Sequence, residues 1–208
     1  MTDASKSTDA ARRPVILGIG GTTRAGSSSE IALRISLEAA EALGCEADIV
    51  AGDALDLPSY DPVREERSAS AQRLVAALRR ADGVLLSTPS YHCGFSGMIK
   101  NALDYAEDMR GDARPYLDGR AVGVIVTAYG AQGLGTALAS MRSVIHALRG
   151  WPTPYAATLN TALQPFEEGR PTNPDVADQL AMVAGQVVEF ARMRRALAAE
   201  RAASARED

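Results

Sequence analysis

Short apolar runs alternate along this chain with segments whose apolar residues recur every three to four positions. Val15–Gly20 is almost continuously apolar, as a strand is when both faces of its sheet are covered. Comparable runs follow at Glu46–Ala51, 84–88, Ala121–Ala128 and 154–159, the last with prolines that suit an edge strand. Helical patterns lie between them. Residues 28–43 start behind Ser27 or Ser28 as N-cap and stop at Gly44. Residues 68–81 place Leu74, Ala77, Leu78 and Ala81 on one stripe, and Asp82-Gly83 ends the pattern. Residues 96–105 form a third helix, with Ser96 as its cap. Residues 136–149 form a fourth, with Leu138, Met141, Ile145 and Leu148 on one face. A long final helix over 175–201 carries Val176, Leu180, Val183, Val187 and Phe190 on its apolar stripe.

Five strands alternating with helices predict an α/β domain, a parallel sheet with helices on both faces. Ligands of such sheets sit beyond the carboxyl ends of the strands, near a switch in strand order. The connections after the first, third and fourth strands, residues 22–29, 89–95 and 129–135, should therefore meet at one edge. Two other connections are long. Residues 52–67 are rich in Asp and Pro, and residues 164–174 are polar. Length alone invites a functional reading of 52–67; a surface crossover is the slightly favoured alternative. Residues 1–13, rich in Ser, Thr, Ala and Asp, predict a disordered tail. Residues 14–200 then form one domain and 201–208 a second tail.

The first connection has the chemistry of an anion loop. Gly20, Gly21 and Gly26 allow a tight turn. Thr22, Ser27, Ser28 and Ser29 supply hydroxyls, and Arg24 adds a permanent charge with a fork of donors. All of this precedes a helix start, whose N–H groups and dipole favour a phosphate. The spelling excludes two familiar alternatives. A mononucleotide P-loop needs Gly-Lys-Ser/Thr, and no lysine is present. A dinucleotide fingerprint matches Gly18 and Gly20 but meets Thr23 at its third position. The second connection joins turn residues to two aromatics, an imidazole and a thiol, a set that can present amides and flat side chains to a heterocycle. The third, glycine-rich, leaves room for a flat ligand. Phosphate plus flat polar ring suggests a mononucleotide.

Composition narrows the class. The chain has 208 residues, 46% hydrophobic and 23% charged, enough for one full core. A net charge of −4 implies no general affinity for nucleic acid. Two cysteines, Cys45 and Cys93, make no disulfide framework, so the chain reads as intracellular and cytoplasmic. No apolar run approaches a membrane span.

At these loops the sequence resembles the NADPH-dependent FMN reductases, a flavodoxin-like family. The family's G-S-x-R-x-x-S-x-N stands here as Gly21-Thr22-Thr23-Arg24-Ala25-Gly26-Ser27-Ser28-Ser29. Its P-x-Y-x-G-x-x-G-x-L-K-N-A-L-D is followed at Pro89, Tyr91, Gly94, Gly97, Lys100, Asn101, Ala102, Leu103 and Asp104. Gly130 and Gly133 stand in its third, glycine-rich loop. The resemblance implies a five-stranded parallel sheet in the order 2-1-3-4-5, with helices on both faces. It implies FMN and NADPH as cofactors, and a flavin, quinone, azo or nitro compound as electron acceptor. It places phosphate contacts on Thr22, Arg24, Ser27 and Ser29. Ring contacts fall on Pro89, Ser90, Tyr91, His92, Cys93 and Gly94, and a third set on Tyr129, Gly130, Gln132 and Gly133. It also implies a homodimer or homotetramer, with a monooxygenase as a possible recipient of reduced flavin. Departures are Thr22 for Ser, Ser29 for Asn, and His92-Cys93 for an Asn-Gly-type pair. A non-enzymatic electron carrier, or a specialised biosynthetic FMN enzyme, are the alternatives.

Other tempting residues read plainly. No second His/Cys cluster gives His92 and Cys93 a metal-ligand spacing. His146, inside a helix, reads as structural. Gly94-Phe95-Ser96-Gly97 is not a nucleophile elbow. Asp53, Asp56 and Asp61 are scattered carboxylates. Lys100-Asn101 is a solvated helix face or meets a neighbouring subunit.

Overall fold

The computed structural model describes residues 12–205. Of the tails expected from the sequence, residues 1–11 and 206–208 lie outside the described residues. Strand β1 (Val15–Gly20) leads into helix α1 (Ser28–Ala42), strand β2 (Glu46–Ala51) and a short 3-10 turn at Gly52–Leu55. Helix α2 (Ala69–Arg80) precedes β3 (Gly83–Tyr91), β4 (Gly94–Phe95), α3 (Gly97–Asp104) and a 3-10 segment, Tyr105–Met109. Then come β5 (Ala121–Ala128), α4 (Gln132–Ala147), β6 (Trp151–Pro152) and β7 (Ala157–Asn160). A two-stranded ribbon, β8 (Phe166–Glu167) and β9 (Arg170–Pro171), precedes α5 (Pro174–Ser204).

The sheet runs β2-β1-β3-β5, all parallel, and β5 then pairs with both β6 and β7. This is the expected order, with the fifth position shared by two pieces. The switch in direction falls between β1 and β3. All residues of β1 and β5 are buried, which explains their unbroken apolar spelling. Leu74, Leu78, Leu103, Met141 and Ile145 fill the core on one face. Leu33, Leu37, Leu180, Val183 and Val187 fill the other.

Four expectations need correction. Residues 89–95 are not a loop: β3 continues to Tyr91 and turns back into β4, pairing Ser90 with Phe95 and Tyr91 with Gly94. His92 and Cys93 form a two-residue turn at φ 50° and 66°. Positive φ at both positions is the I′ geometry that suits the twist of a hairpin. Residues 129–135 are only half loop, because α4 begins at Gln132 and takes Gln132, Gly133 and Gly135 into its first turn. The fifth strand is not continuous over 154–159. Pro152 and Pro154 lack the N–H a ladder needs, so Trp151–Pro152 pairs low on β5 and Ala157–Asn160 pairs high. The loop at 164–174 contains the β8–β9 ribbon, closed by Glu168 and Gly169 at φ 48° and 78°.

The long connection at 52–67 packs on α3 and the 3-10 segment behind it. Asn101 accepts from the Tyr60 amide at 2.8 Å and donates to the Leu57 and Pro58 carbonyls at 3.3 and 3.0 Å. Arg67 forks onto Asp108 at 2.8 and 2.7 Å and stacks over the Tyr60 and Tyr105 rings. The hydrogen bonds from Arg67 hold the Asp108 carboxyl below its ordinary range. Lys100 pairs with Asp104 one turn along the helix, so of the Lys100-Asn101 pair one side chain is solvated and the other fastens the crossover. His146 is exposed in the last turn of α4.

Candidate functional site: a cleft at the carboxyl edge

Parallel pairing of β1, β3 and β5 brings their carboxyl ends side by side, with Gly20 opposite Ser87 and Pro89 opposite Thr127. A cleft of about 550 Å³ opens there, a volume ordinary for a bound cofactor.

One wall is the turn between β1 and α1. Gly21 turns the chain at φ +90° and gives its amide to the Ser87 carbonyl at 3.2 Å. Gly20 lies so close to β3 that a Cβ would stand 2.3 Å from the Ser87 oxygen. Thr22 Oγ1 accepts from the Arg24 amide at 3.1 Å, which curls the loop tip. Ser27 is the N-cap of α1, taking the Glu30 amide at 3.4 Å, and its hydroxyl meets that of Ser29 at 3.4 Å. Glu30 turns its carboxylate away: it accepts from the Gly26 amide at 3.1 Å and pairs with Arg34 at 2.7 Å. A negative group at the helix start is thus neutralised outside the cleft, and the N-terminal field of α1 stays directed into it.

The second wall is the end of β3. Thr88 Oγ1 accepts from the Ser96 amide at 2.9 Å and locks the hairpin base. Ser90 donates to the Gly133 carbonyl at 3.1 Å, tying the hairpin to the first turn of α4. Tyr91 stands exposed on this side of the cleft, and Tyr129 on the other. Asn160, at the end of β7, accepts from the Gly130 amide at 2.8 Å and the Ala162 amide at 3.0 Å, joining the third turn to the last.

Thr22, Arg24, Ser27 and Ser29 line the cleft, as do Pro89, Ser90, Tyr91 and Tyr129. His92, Cys93, Gly94, Gly130, Gln132 and Gly133 are not among the lining residues: the first three lie in the β3–β4 hairpin, Gly130 in the turn after β5, and the last two in the first turn of α4. Ser28, read from the sequence as one of the loop hydroxyls, also lines the cleft. Sequence reasoning missed four lining residues. Thr23 lies inside the quoted loop motif, and Thr127 and Ala128 end β5. Thr161 follows β7, where the expected strand stopped two residues earlier. A rule that every strand end at this edge contributes a hydroxyl would have found Thr127 and Thr161. Arg24 is the only charged residue among the lining, and no carboxylate is present there among the described residues. Hydroxyls, a helix N-terminus and one guanidinium make an anion cradle; two phenol rings at the mouth suit a planar group.

The NADPH-dependent FMN reductase family model matches residues 14–164. The NADPH azoreductase of Bacillus sp. (strain OY1-2) is 27% identical over 147 residues, covering 70% of this chain and 79% of that relative. An NAD(P)H-dependent FMN reductase of Pseudomonas aeruginosa is 30% identical over 96 residues, 44% of this chain and 49% of that relative. Among solved structures, the flavoenzyme NAD(P)H:(acceptor) oxidoreductase FerB of Paracoccus denitrificans superposes with a TM-score of 0.66 at 23% identity. That match covers 88% of this chain and 99% of that one. The cleft lies inside the matched region, and the alternative of an electron carrier without pyridine-nucleotide chemistry gives way. The chain is a flavin oxidoreductase and belongs to the NADPH-dependent FMN reductase family.

Proposed function

We propose that the carboxyl-edge cleft holds FMN, with its phosphate on the β1–α1 turn and its ring between Tyr91 and Tyr129. The observation that carries this is the cleft's charge pattern, a single cation, a helix N-terminus and hydroxyls, with no lining carboxylate among the described residues. Thr22, Ser27 and Ser29 supply the hydroxyls for the phosphate, and Arg24 its counter-charge. Pro89 and Ser90 at the end of β3, with the backbone of His92, Cys93 and Gly94 behind them, form the ring's edge. Tyr129, Gly130, Gln132 and Gly133 close the third side. FMN held there would supply the hydride chemistry between NADPH and an acceptor. The chain's own contribution is to bind, to orient and to exclude water; no side-chain acid or base is required.

The acceptor is a free flavin, a quinone, or an azo or nitro compound, with a monooxygenase as a recipient of reduced flavin. Residues 14–200 act as one FMN-binding domain, in the cytoplasm, within a homodimer or homotetramer. No helix among the described residues is long and apolar enough to cross a membrane. The test is a visible absorbance titration with FMN, followed by anaerobic NADPH. A saturable spectral shift that bleaches on NADPH addition supports the reading. Absence of a shift refutes the assignment of the cleft.

A further inference from the structure

Eight serine and threonine side chains are buried among the described residues, and all but one have a hydrogen-bond partner inside the protein. Ser27 and Ser29 meet at 3.4 Å, and Ser36 donates to the Leu180 carbonyl at 3.3 Å. Ser87 donates to the Ser29 carbonyl at 2.7 Å and Thr88 to the Pro89 carbonyl at 2.8 Å. Ser96 caps α3, accepting from the Met98 amide at 3.2 Å, and Thr153 donates to the Tyr155 carbonyl at 2.7 Å. The exception is Thr127 in β5. It is 3% exposed, and its side chain has no partner among the described residues. A buried hydroxyl without a partner is costly to keep, so one that persists calls for a reason.

The Thr127 hydroxyl is not sealed in the core. Among the described residues, the fully enclosed side-chain polar atom that lacks a partner is Arg142 Nε. Thr127 Oγ1 therefore reaches open space, and the space that Thr127 lines is the carboxyl-edge cleft. Strand alternation fixes its place there. Ala121 and Ile125 pack into the core beneath α1 and α5, so Thr127, on the same face, is turned toward α1. Across the ladder on one side stands Pro89, which has no N–H and whose carbonyl already takes the Thr88 hydroxyl. On the other side stands Leu159, which is apolar. Thr127 is thus the polar group of this row of the cleft floor. The Ser87 bond to Ser29 holds the start of α1 over β3. Thr127 lies one strand across and two residues further out than Ser87, roughly 8 Å away. Tyr129 follows it two residues later at the mouth.

We propose that the Thr127 hydroxyl hydrogen-bonds the ribityl chain, the polyol that joins phosphate to ring in a flavin nucleotide. This deepens the flavin reading above and rests on it. With phosphate donors at one end of the cleft and phenols at the other, the middle of the ligand is left for the floor to recognise. A hydroxyl both donates and accepts, and so matches an alcohol in either sense. It also discriminates. A ligand with an alcohol at this point satisfies the group, whereas one without it leaves the group buried and unpaired.

The test is titration of flavin-free protein with FMN, with riboflavin, which lacks the phosphate, and with lumiflavin, which lacks phosphate and ribityl chain alike. Quenching of flavin fluorescence reads binding. Thr127→Val keeps the shape and removes the hydroxyl; Thr127→Ser keeps the hydroxyl. Thr127→Val should raise the dissociation constants of FMN and riboflavin by the same factor, about tenfold, and leave that of lumiflavin unchanged. Thr127→Ser should stay within about twofold of wild type. Because the hydroxyl has no protein partner, flavin-free Thr127→Val should melt no lower than wild type, while the rise in Tm on adding FMN should shrink. A wild-type protein that does not bind FMN removes the flavin reading and this assignment with it. A wild type that binds FMN beside a Thr127→Val that binds it equally well removes this assignment alone. Weaker FMN binding with riboflavin unchanged would put the hydroxyl at the phosphate, and an equal loss for lumiflavin would put it at the ring. A lower Tm for flavin-free Thr127→Val would make it a structural group. Each of these three outcomes overturns the proposal.

Discussion

Replacing Gly20 with alanine tests how tightly the cleft wall is tied to the sheet. The new Cβ would stand 2.3 Å from the Ser87 carbonyl oxygen and 2.9 Å from the Ser87 amide nitrogen and Cβ. These atoms are backbone or fixed to it, so no rotamer change relieves the contact. An ordinary contact begins near 3.4 Å, so β1 and β3 must part by about 1 Å here. That movement would break the Gly21 amide bond to Ser87, now 3.2 Å, and strain the Ser87 hydroxyl bond to the Ser29 carbonyl, now 2.7 Å. Overpacking costs about 1–3 kcal/mol, and each lost hydrogen bond about 1 kcal/mol. The sum is about 2–4 kcal/mol, or roughly 5–15 °C in Tm for a chain of this size. Gly26→Ala is the comparator. It sits at φ +69° with nothing within 4 Å of its Cβ position, so it incurs only left-handed backbone strain, about 1–2 kcal/mol. Urea and thermal unfolding of both variants, with FMN affinity measured alongside, give the comparison. A Gly20→Ala protein within 1 kcal/mol of wild type, to order of magnitude, or one no less stable than Gly26→Ala, would refute the reasoning.

Arg24→Ala should raise the FMN dissociation constant about tenfold, with Tm unchanged, because the side chain is exposed; equal affinity in a fluorescence-quenching titration removes Arg24 from the site. Cys93→Val should destabilise the hairpin by about 1–2 kcal/mol, since a β-branched residue resists φ 66°, whereas Cys93→Gly should not; equal urea midpoints would count against the turn assignment. Asp108→Asn should lose stability at neutral pH. The wild-type carboxyl is depressed by Arg67, so its contribution is complete above the unfolded-state pKa and disappears as pH falls through the lower folded value. The stability gap between the two proteins should therefore close in strong acid, and a gap constant with pH would exclude the ion pair as its source.

The unbroken apolar spelling of β1 and β5, and the capped stripes of α1 and α2, made the layers legible because burial on both faces leaves little else to write. Where polar residues do structural work, the spelling misleads. His92-Cys93 hides a hairpin, since the usual signal for two positive-φ positions is Asn-Gly. Gln132-Gly133 looks like loop, yet it starts α4 because Gly133 must let Ser90 approach: a Cβ there would be 2.7 Å from Ser90 Oγ. The phosphate-type loop was legible residue by residue, since donors, charge and helix start are adjacent in the chain. Thr127, Ala128 and Thr161 were not, because only strand register brings them to the same edge. Asn101 belongs to the quoted motif, but its hold on Tyr60, Leu57 and Pro58 needed the fold to be seen.

The division of the last strand into two pieces also bears on how the molecule avoids its own kind. A continuous outer strand offers a row of unpaired N–H and C=O groups on which another chain can nucleate. Here Pro152 and Pro154 remove donors from that row. At the other border, β2 carries Glu46 and Asp48, each paired with an arginine of α2. Both borders are therefore poor templates for strand addition, and the fibril route is guarded at each end of the sheet. Strand addition is thereby disfavoured at both borders of the sheet.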